Sequence, residues 1–278
     1  MSQTIWITGG DGFVGHSLKP YLSAAGYNVV STDAELSVCE PERLEAFAEE
    51  IMPYAIINCA GIPRDATSLS TRVKAYEINA MGARNVAFCA NTVGAKVVQI
   101  SSDDVYSSKT EDAVNEFDNP HPNTPYGKSK RAGESMVRNT TDNHLIIRSS
   151  WLYDRFGGRL KAILDAAEAD EKFEVRMDQF AAPTSIMLYA NNLVKLLQKD
   201  ATGTFHIVSK GEASHFDFAV QALKVAGYNP GEILVPKTDA KTAEHVVLES
   251  LMLEMQGIEL PTWQEDLEEY MRTAGLAV

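Results

Sequence analysis

The chain has 278 residues, 45% of them hydrophobic, and a formal net charge of −13. That is generous for one domain and short for two independent ones, with apolar content enough for a sizeable core. The acidic balance argues against a general nucleic-acid or anionic-membrane surface, and the longest uncharged run, Gln179 to Val194, is too short and too polar to cross a bilayer.

In chain order, the apolar run 4–8 (Thr-Ile-Trp-Ile-Thr) predicts a strand, followed by glycines and an amphipathic helix near 13–25. A second strand is expected at 27–32 and a helix at 43–51. Strands of continuous apolar residues follow at 54–60, 95–102 and 144–150, with helices near 71–93 and 125–138 between them. Apolar strands separated by helices imply a parallel sheet covered on both faces, a doubly wound α/β fold. Residues 107–123 read as a loop ahead of the second of those helices. Beyond 150 the alternation loosens into a helix (158–169), a strand (172–176), a helix (187–199), a strand (204–208) and a helix (214–226). The expected organisation is a nucleotide-binding sheet domain over 1–150, joined again by 180–205. A smaller α/β substrate lobe is made of 151–179 and 206–278, over the carboxyl ends of the strands.

Three cysteines (Cys39, Cys59, Cys89) form no Cys-x-x-Cys pair and leave one over in any pairing scheme, and no basic-then-apolar leader opens the sequence. Reduced thiols in a cytoplasmic protein are the expectation.

Chemistry is concentrated at the ends of the strands. Gly9, Gly12 and Gly15 lie three apart directly after the first strand, ahead of Phe13 and Val14 at the start of a helix. Such a turn lets the backbone approach a pyrophosphate that then faces the helix N-terminus. Asp33 ends the second strand, where a carboxylate accepts both hydroxyls of an adenine ribose. The same charge repels a 2′-phosphate, and no Arg or Lys lies between Lys19 and Arg43, so NADH is favoured over NADPH. Cys59-Ala60-Gly61, after Asn58, offers small residues beside a cofactor ribose, and Ser102-Asp103 closes the strand at 95–102. Tyr126 precedes Lys130 by four residues, about one helical turn, behind Thr124 and Pro125, which read as a cap and first helical residue. An ordinary phenol titrates near pH ~10. An ammonium one turn away and the positive helix end both favour phenolate, so the pair suits proton transfer.

This ordered set resembles the extended short-chain dehydrogenase/reductase family. The stretches at 148–153, 178–185, 203–219 and 257–263 are similar to the dTDP-4-dehydrorhamnose reductases within it. The resemblance implies a Rossmann-type sheet domain with a small substrate lobe, and NAD(P)H-dependent reduction of the 4-keto group of a nucleotide-linked deoxysugar. It makes Tyr126 the general acid, Ser102 the hydroxyl that binds the carbonyl, Lys130 the ligand of the nicotinamide ribose and Trp151 part of the sugar site, with Asp103 beside it. A reductase or epimerase for another nucleotide sugar stays open. So does a non-catalytic NAD(P)-binding subunit like the regulatory one of methionine adenosyltransferase, and so does a homodimer. The family pattern is not kept at 63–69, at 158–160 or at 241–249, and Ser37 stands where an adenine-contacting Asp is often found. Some family members bind magnesium through a glutamate at the position of Ser17; no metal is expected here.

Overall fold

A computed structural model describes residues 2–62, 68–110 and 112–278. The altered loop at 63–67, with its expected bearing on sugar choice, lies outside the described residues. The elements run β1 (Thr4–Thr8), α1 (Phe13–Ala24), β2 (Asn28–Thr32), α2 (Pro41–Ile51), β3 (Ala55–Asn58), α3 (Leu69–Tyr76), α4 (Ala83–Thr92) and β4 (Lys96–Ile100). They continue with α5 (Pro125–Thr140), β5 (His144–Arg148), β6 (Leu152–Tyr153), α6 (Gly158–Glu168), β7 (Phe173–Arg176), β8 (Gln179–Ala181) and β9 (Thr184–Ser185). The rest are α7 (Ile186–Gln198), β10 (Gly203–His206), β11 (Ala213–Ser214), α8 (His215–Val225), α9 (Pro230–Ile233), β12 (Leu234–Lys237), β13 (Glu244–His245), α10 (Leu251–Met255) and α11 (Trp263–Thr273). No described helix is long and apolar enough to cross a membrane.

The chain divides into two compact units: residues 1–107, 119–148 and 190–205 form the first, and 108–118, 149–189 and 206–278 the second. The first holds a sheet in the order β10-β5-β4-β3-β1-β2, in which β2, β1, β3, β4 and β5 pair in parallel. Ile5, Trp6, Ile7, Ile56, Ile57, Val97, Val98, Ile146 and Ile147 are fully buried, as expected when helices cover both faces. On one face Trp6, Leu44, Ala48, Val86 and Val137 share a core with Phe47 against it. The Trp6 indole N–H donates to Thr32 Oγ1 at 2.9 Å, so its burial leaves no unpaired donor. Lys96 is also buried. Its ammonium donates to Asn143 Oδ1 (2.6 Å) and the Ala201 carbonyl (3.0 Å) and meets Asp200 at 3.1 Å, fastening the turn before β10 to β4. Strand order changes direction at β1, which has β2 on one side and β3 on the other. Ligands of open α/β sheets sit at the carboxyl ends of strands at such a switch point.

The helix expected at 71–93 is interrupted by a π-helical turn, Glu77–Gly82. Buried in it, Asn79 accepts from the Ile62 amide through Oδ1 (2.9 Å) and donates to Ser129 Oγ on α5 (2.9 Å). Such widened turns are frequent at functional sites.

The second unit is built from short pieces. β8 lies between β11 and β13, β7 pairs with β12, and β6 with β9. Within the loop read at 107–123, the Thr110 and Val114 amides donate to the His245 and Val247 carbonyls at 2.9 and 2.8 Å. The family-divergent stretch 241–249 is therefore held between that segment and β8. Asp266 on α11 is buried, which raises its pKa; it accepts from the Ser185 amide and hydroxyl and from Tyr153 Oη. The strand expected at 204–208 ends at His206.

Candidate active site

The turn between β1 and α1 can be built only from glycine at two points. Gly9 has φ +67°, and a Cβ there would lie 2.6 Å from the Ala60 amide nitrogen. A Cβ on Gly15 would lie 2.3 Å from the Gly9 carbonyl oxygen. Gly12 takes the N-cap position without a side-chain hydrogen bond, and the first turn of α1, opened by Phe13 and Val14, has no acid. A helix start without a side-chain cap presents amides and a positive dipole end, which suits an anion. The turn forms one wall of a cleft of about 570 Å³ lined by Gly9, Gly12, Asp33, Cys59, Ala60 and Gly61. These come from the ends of β1, β2 and β3, so the fold brings together most of the residues expected to hold a cofactor. Asp33 Oδ2 accepts from the Asp11 amide at 2.9 Å. A carboxylate retains lone pairs for ribose hydroxyls after one such bond. Ser37 and Lys74 also line the cleft. Lys74 comes from α3, far along the chain, and nothing in the sequence near Asp33 announces it.

Thr124 caps α5 as expected, accepting from the Gly127 amide at 2.9 Å, with Pro125 as the first helical residue. Tyr126 is half-buried in that first turn, and the Ser129 hydroxyl donates to its carbonyl at 2.7 Å. Lys130 is buried and donates to the Ile100 carbonyl at 2.6 Å. Burial lowers its pKa to about 8, while Glu134 and Cys59 act in the opposite sense. The ammonium is thus felt at Cys59 in the cleft wall and anchored at the end of β4, two residues before Ser102. Burial pushes the Cys59 thiol up to about 12, against a smaller pull from Lys130, so it is a wall of the cleft and no nucleophile. Ser102 Oγ donates to Asp103 Oδ1 (2.8 Å), lies 3.4 Å from Asp104 Oδ2 and accepts from the Asp104 amide (3.2 Å), capping a 3-10 turn at Asp103–Val105. Trp151 belongs to the second unit, where its ring stacks on His215 with centroids 3.4 Å apart and planes 17° from parallel.

Two buried networks escaped the sequence. Asn58 accepts from Thr8 Oγ1 (2.8 Å) and the Ala60 amide (3.2 Å) and donates to Gln99 Oε1 (2.7 Å), locking the ends of β1, β3 and β4 together. Glu134 on α5 binds Ser101 and Arg148. Each had a sequence signal, since Gln99 and Arg148 close otherwise apolar strands and a buried polar group needs a partner. Among the described residues no group of three or more His, Cys, Asp or Glu is placed to hold a metal, and Ser17 is buried in α1.

Comparison with known proteins finds relatives over nearly the whole chain. The family described as RmlD substrate binding domain matches residues 3–275. The spore coat polysaccharide biosynthesis protein SpsK of Bacillus subtilis is 30% identical over 274 residues, 96% of each chain. The dTDP-4-dehydrorhamnose reductase of Escherichia coli is 32% identical over 234 residues, covering 81% of this chain and 78% of that one. Among solved structures, dTDP-4-dehydrorhamnose reductase from Bacillus anthracis in complex with NADP superposes with a TM-score of 0.90 at 31% identity, over 98% of this chain and all of that one. With its glycine turn, its Tyr126–Lys130 helix and a match from end to end, the chain belongs to the RmlD substrate binding domain family.

Proposed function

We propose that the chain is an NAD(P)H-dependent reductase of the 4-keto group of a dTDP-linked deoxyhexose, with dTDP-4-dehydrorhamnose as its substrate. One observation carries this reading: Lys130, one turn beyond Tyr126 on α5, donates to the Ile100 carbonyl at the end of β4, two residues before Ser102. The family names and the NADP-bound relative support it.

The residues fit a dinucleotide. The glycine turn and the first amides of α1 would take the pyrophosphate, Asp33 the adenine ribose, Ala60 and Gly61 the space beside the cofactor, and Lys130 the nicotinamide ribose. A reduced nicotinamide, when bound, supplies the hydride. Tyr126 gives its phenolic proton to the carbonyl oxygen, its acidity raised by Lys130 and the positive end of α5. Ser102 turns its hydroxyl from Asp103 to that oxygen and stabilises the charge that develops there. Trp151 borders the sugar, the first unit serving as the cofactor domain and the second as the substrate lobe. Asp33 favours NADH over NADPH; Lys74 is exposed and solvent-screened, so it opposes that preference only weakly. The three cysteines are free, consistent with a cytoplasmic setting.

The test is spectrophotometric oxidation of NADH and of NADPH with dTDP-4-keto-6-deoxy-L-mannose. Turnover is expected, and Tyr126→Phe lowers it at least about 100-fold while cofactor affinity is unchanged. A wild-type protein that binds cofactor yet reduces no nucleotide keto-sugar is a binding subunit. Activity that survives Tyr126→Phe means the proton donor is another group.

A further inference from the structure

Glu134 lies one helical turn beyond Lys130 and two beyond Tyr126, on the same face of α5. It is fully buried. Its Oε1 accepts from Ser101 Oγ (2.7 Å) and Arg148 Nε (2.8 Å); its Oε2 accepts from Arg148 Nη2 (2.8 Å), Arg131 Nη1 (3.1 Å) and Arg138 Nη2 (3.3 Å). The remaining Arg148 nitrogen, Nη1, donates to Tyr106 Oη at 2.7 Å. One carboxylate therefore joins the helix of Tyr126 and Lys130 to the residue before Ser102, to the end of β5, and through Arg148 to the far side of the 3-10 turn.

We propose that Glu134 is a positioning residue of the reaction, which keeps Lys130 protonated inside the fold and holds the Ser102 strand end against the helix of Tyr126. The assignment rests on the reductase reading of those three residues. The groups around Lys130 make the electrostatic part necessary. On its own helix it has Tyr126 and Glu134; from the end of β3 comes the Cys59 thiol, neutral at ordinary pH, and from β4 the Ile100 carbonyl. The other charges gathered around Glu134 are the guanidinium groups of Arg131, Arg138 and Arg148, all of the same sign as Lys130. Without the Glu134 charge, burial meets little opposition at Lys130 and drives it toward the neutral amine. A neutral amine no longer favours phenolate at Tyr126. A buried pair that served only as glue could be exchanged for well-packed apolar groups with no effect on Lys130.

The experiment follows the Lys130 side chain by NMR in full-length protein with isotope-labelled lysines, its signal identified by loss in Lys130→Arg, without cofactor. The wild-type midpoint is expected near 8. In Glu134→Gln it falls by about one to two pH units, the order of the effect of a unit charge one helical turn away at an effective dielectric constant of ~20. The alkaline limb of kcat/KM for keto-sugar reduction moves down with it. Should Glu134→Gln not fold, Glu134→Gln combined with Arg148→Met removes the buried pair together; Glu134 and not Arg148 is the charge that acts on Lys130, so the midpoint falls there too. An unmoved midpoint and limb in a folded, less active variant make Glu134 structural only and overturn the assignment. A moved midpoint in a protein that reduces no keto-sugar supports the electrostatic link and refutes the reductase reading instead.

Discussion

Gly127, directly after Tyr126, packs its backbone against the turn that follows Ser102. A Cβ placed on it would lie 1.9 Å from the Asp104 carbonyl oxygen and 2.8 Å from the carbon of that carbonyl. Carbon–oxygen contacts rarely close below about 3.2 Å, so Gly127→Ala forces the 3-10 turn and α5 apart by about 1 Å. Neither partner is a flexible side-chain end; both are backbone. Alanine favours an isolated helix over glycine by ~1 kcal/mol, while overpacking costs ~1–3 kcal/mol. The net loss of stability is therefore modest, up to about 2 kcal/mol, and the variant folds. Catalysis suffers more. A misplacement of ~1 Å between reacting groups costs about 100-fold in rate, and here the hydroxyl of Ser102 and the phenol of Tyr126 are the groups displaced. The assays are kcat from cofactor oxidation, thermal unfolding, and cofactor affinity, which changes less than kcat because the glycine turn is untouched and only Lys130 moves with α5. A variant with lowered thermal stability and wild-type kcat refutes the argument, since the spacing of the two segments would then not matter to the reaction.

Replacing Asp33 by Ser removes the carboxylate that opposes a 2′-phosphate, and the ratio of kcat/KM for NADPH over NADH rises by about tenfold or more; an unchanged ratio assigns Asp33 to the Asp11 amide alone. Acid stability reports on Glu134, whose pKa its hydrogen bonds and charges from Arg148, with help from Arg138 and Ser101, hold at about 2 against an ordinary 4.5, despite burial. A depressed carboxylate contributes stability that is complete above pH ~4.5 and is lost as pH falls toward ~2, here roughly 3 kcal/mol. Urea unfolding across that window shows the loss in wild type and lacks it in Glu134→Gln; parallel curves reject the link.

The first half of the chain was legible because its signals are local. The glycine turn, the apolar strands and the Thr124-Pro125 start of α5 each follow from a few adjacent residues, and the structure has them where they were read. What stayed hidden depends on distant partners. Asn79 does its work from a π turn, which adds one residue to a helix without disturbing its apolar face enough to show in the pattern. Lys74 reaches the cofactor cleft from α3, a placement that only the tertiary fold creates. Strands of two or three residues, such as β6, β9 and β13, are too short for any alternation to appear. The helix α11 has a local signal of its own: Thr262 and Glu265 form a capping box with Thr-x-x-Glu spacing at its start. Ser102 was identified by position, but the direction of its proton, toward Asp103, is set by a neighbour whose role no spacing rule supplies.

Residues 190–205 complete the first unit only after Ser149–Tyr189 have been spent on the second. During synthesis, then, β5 waits as a bare sheet margin until β10 leaves the ribosome, and the nucleotide-binding body cannot close on the first half of the chain alone. A fragment cut after Arg148 carries that adhesive margin permanently, so the two units cannot be separated by a single cut and have to mature together.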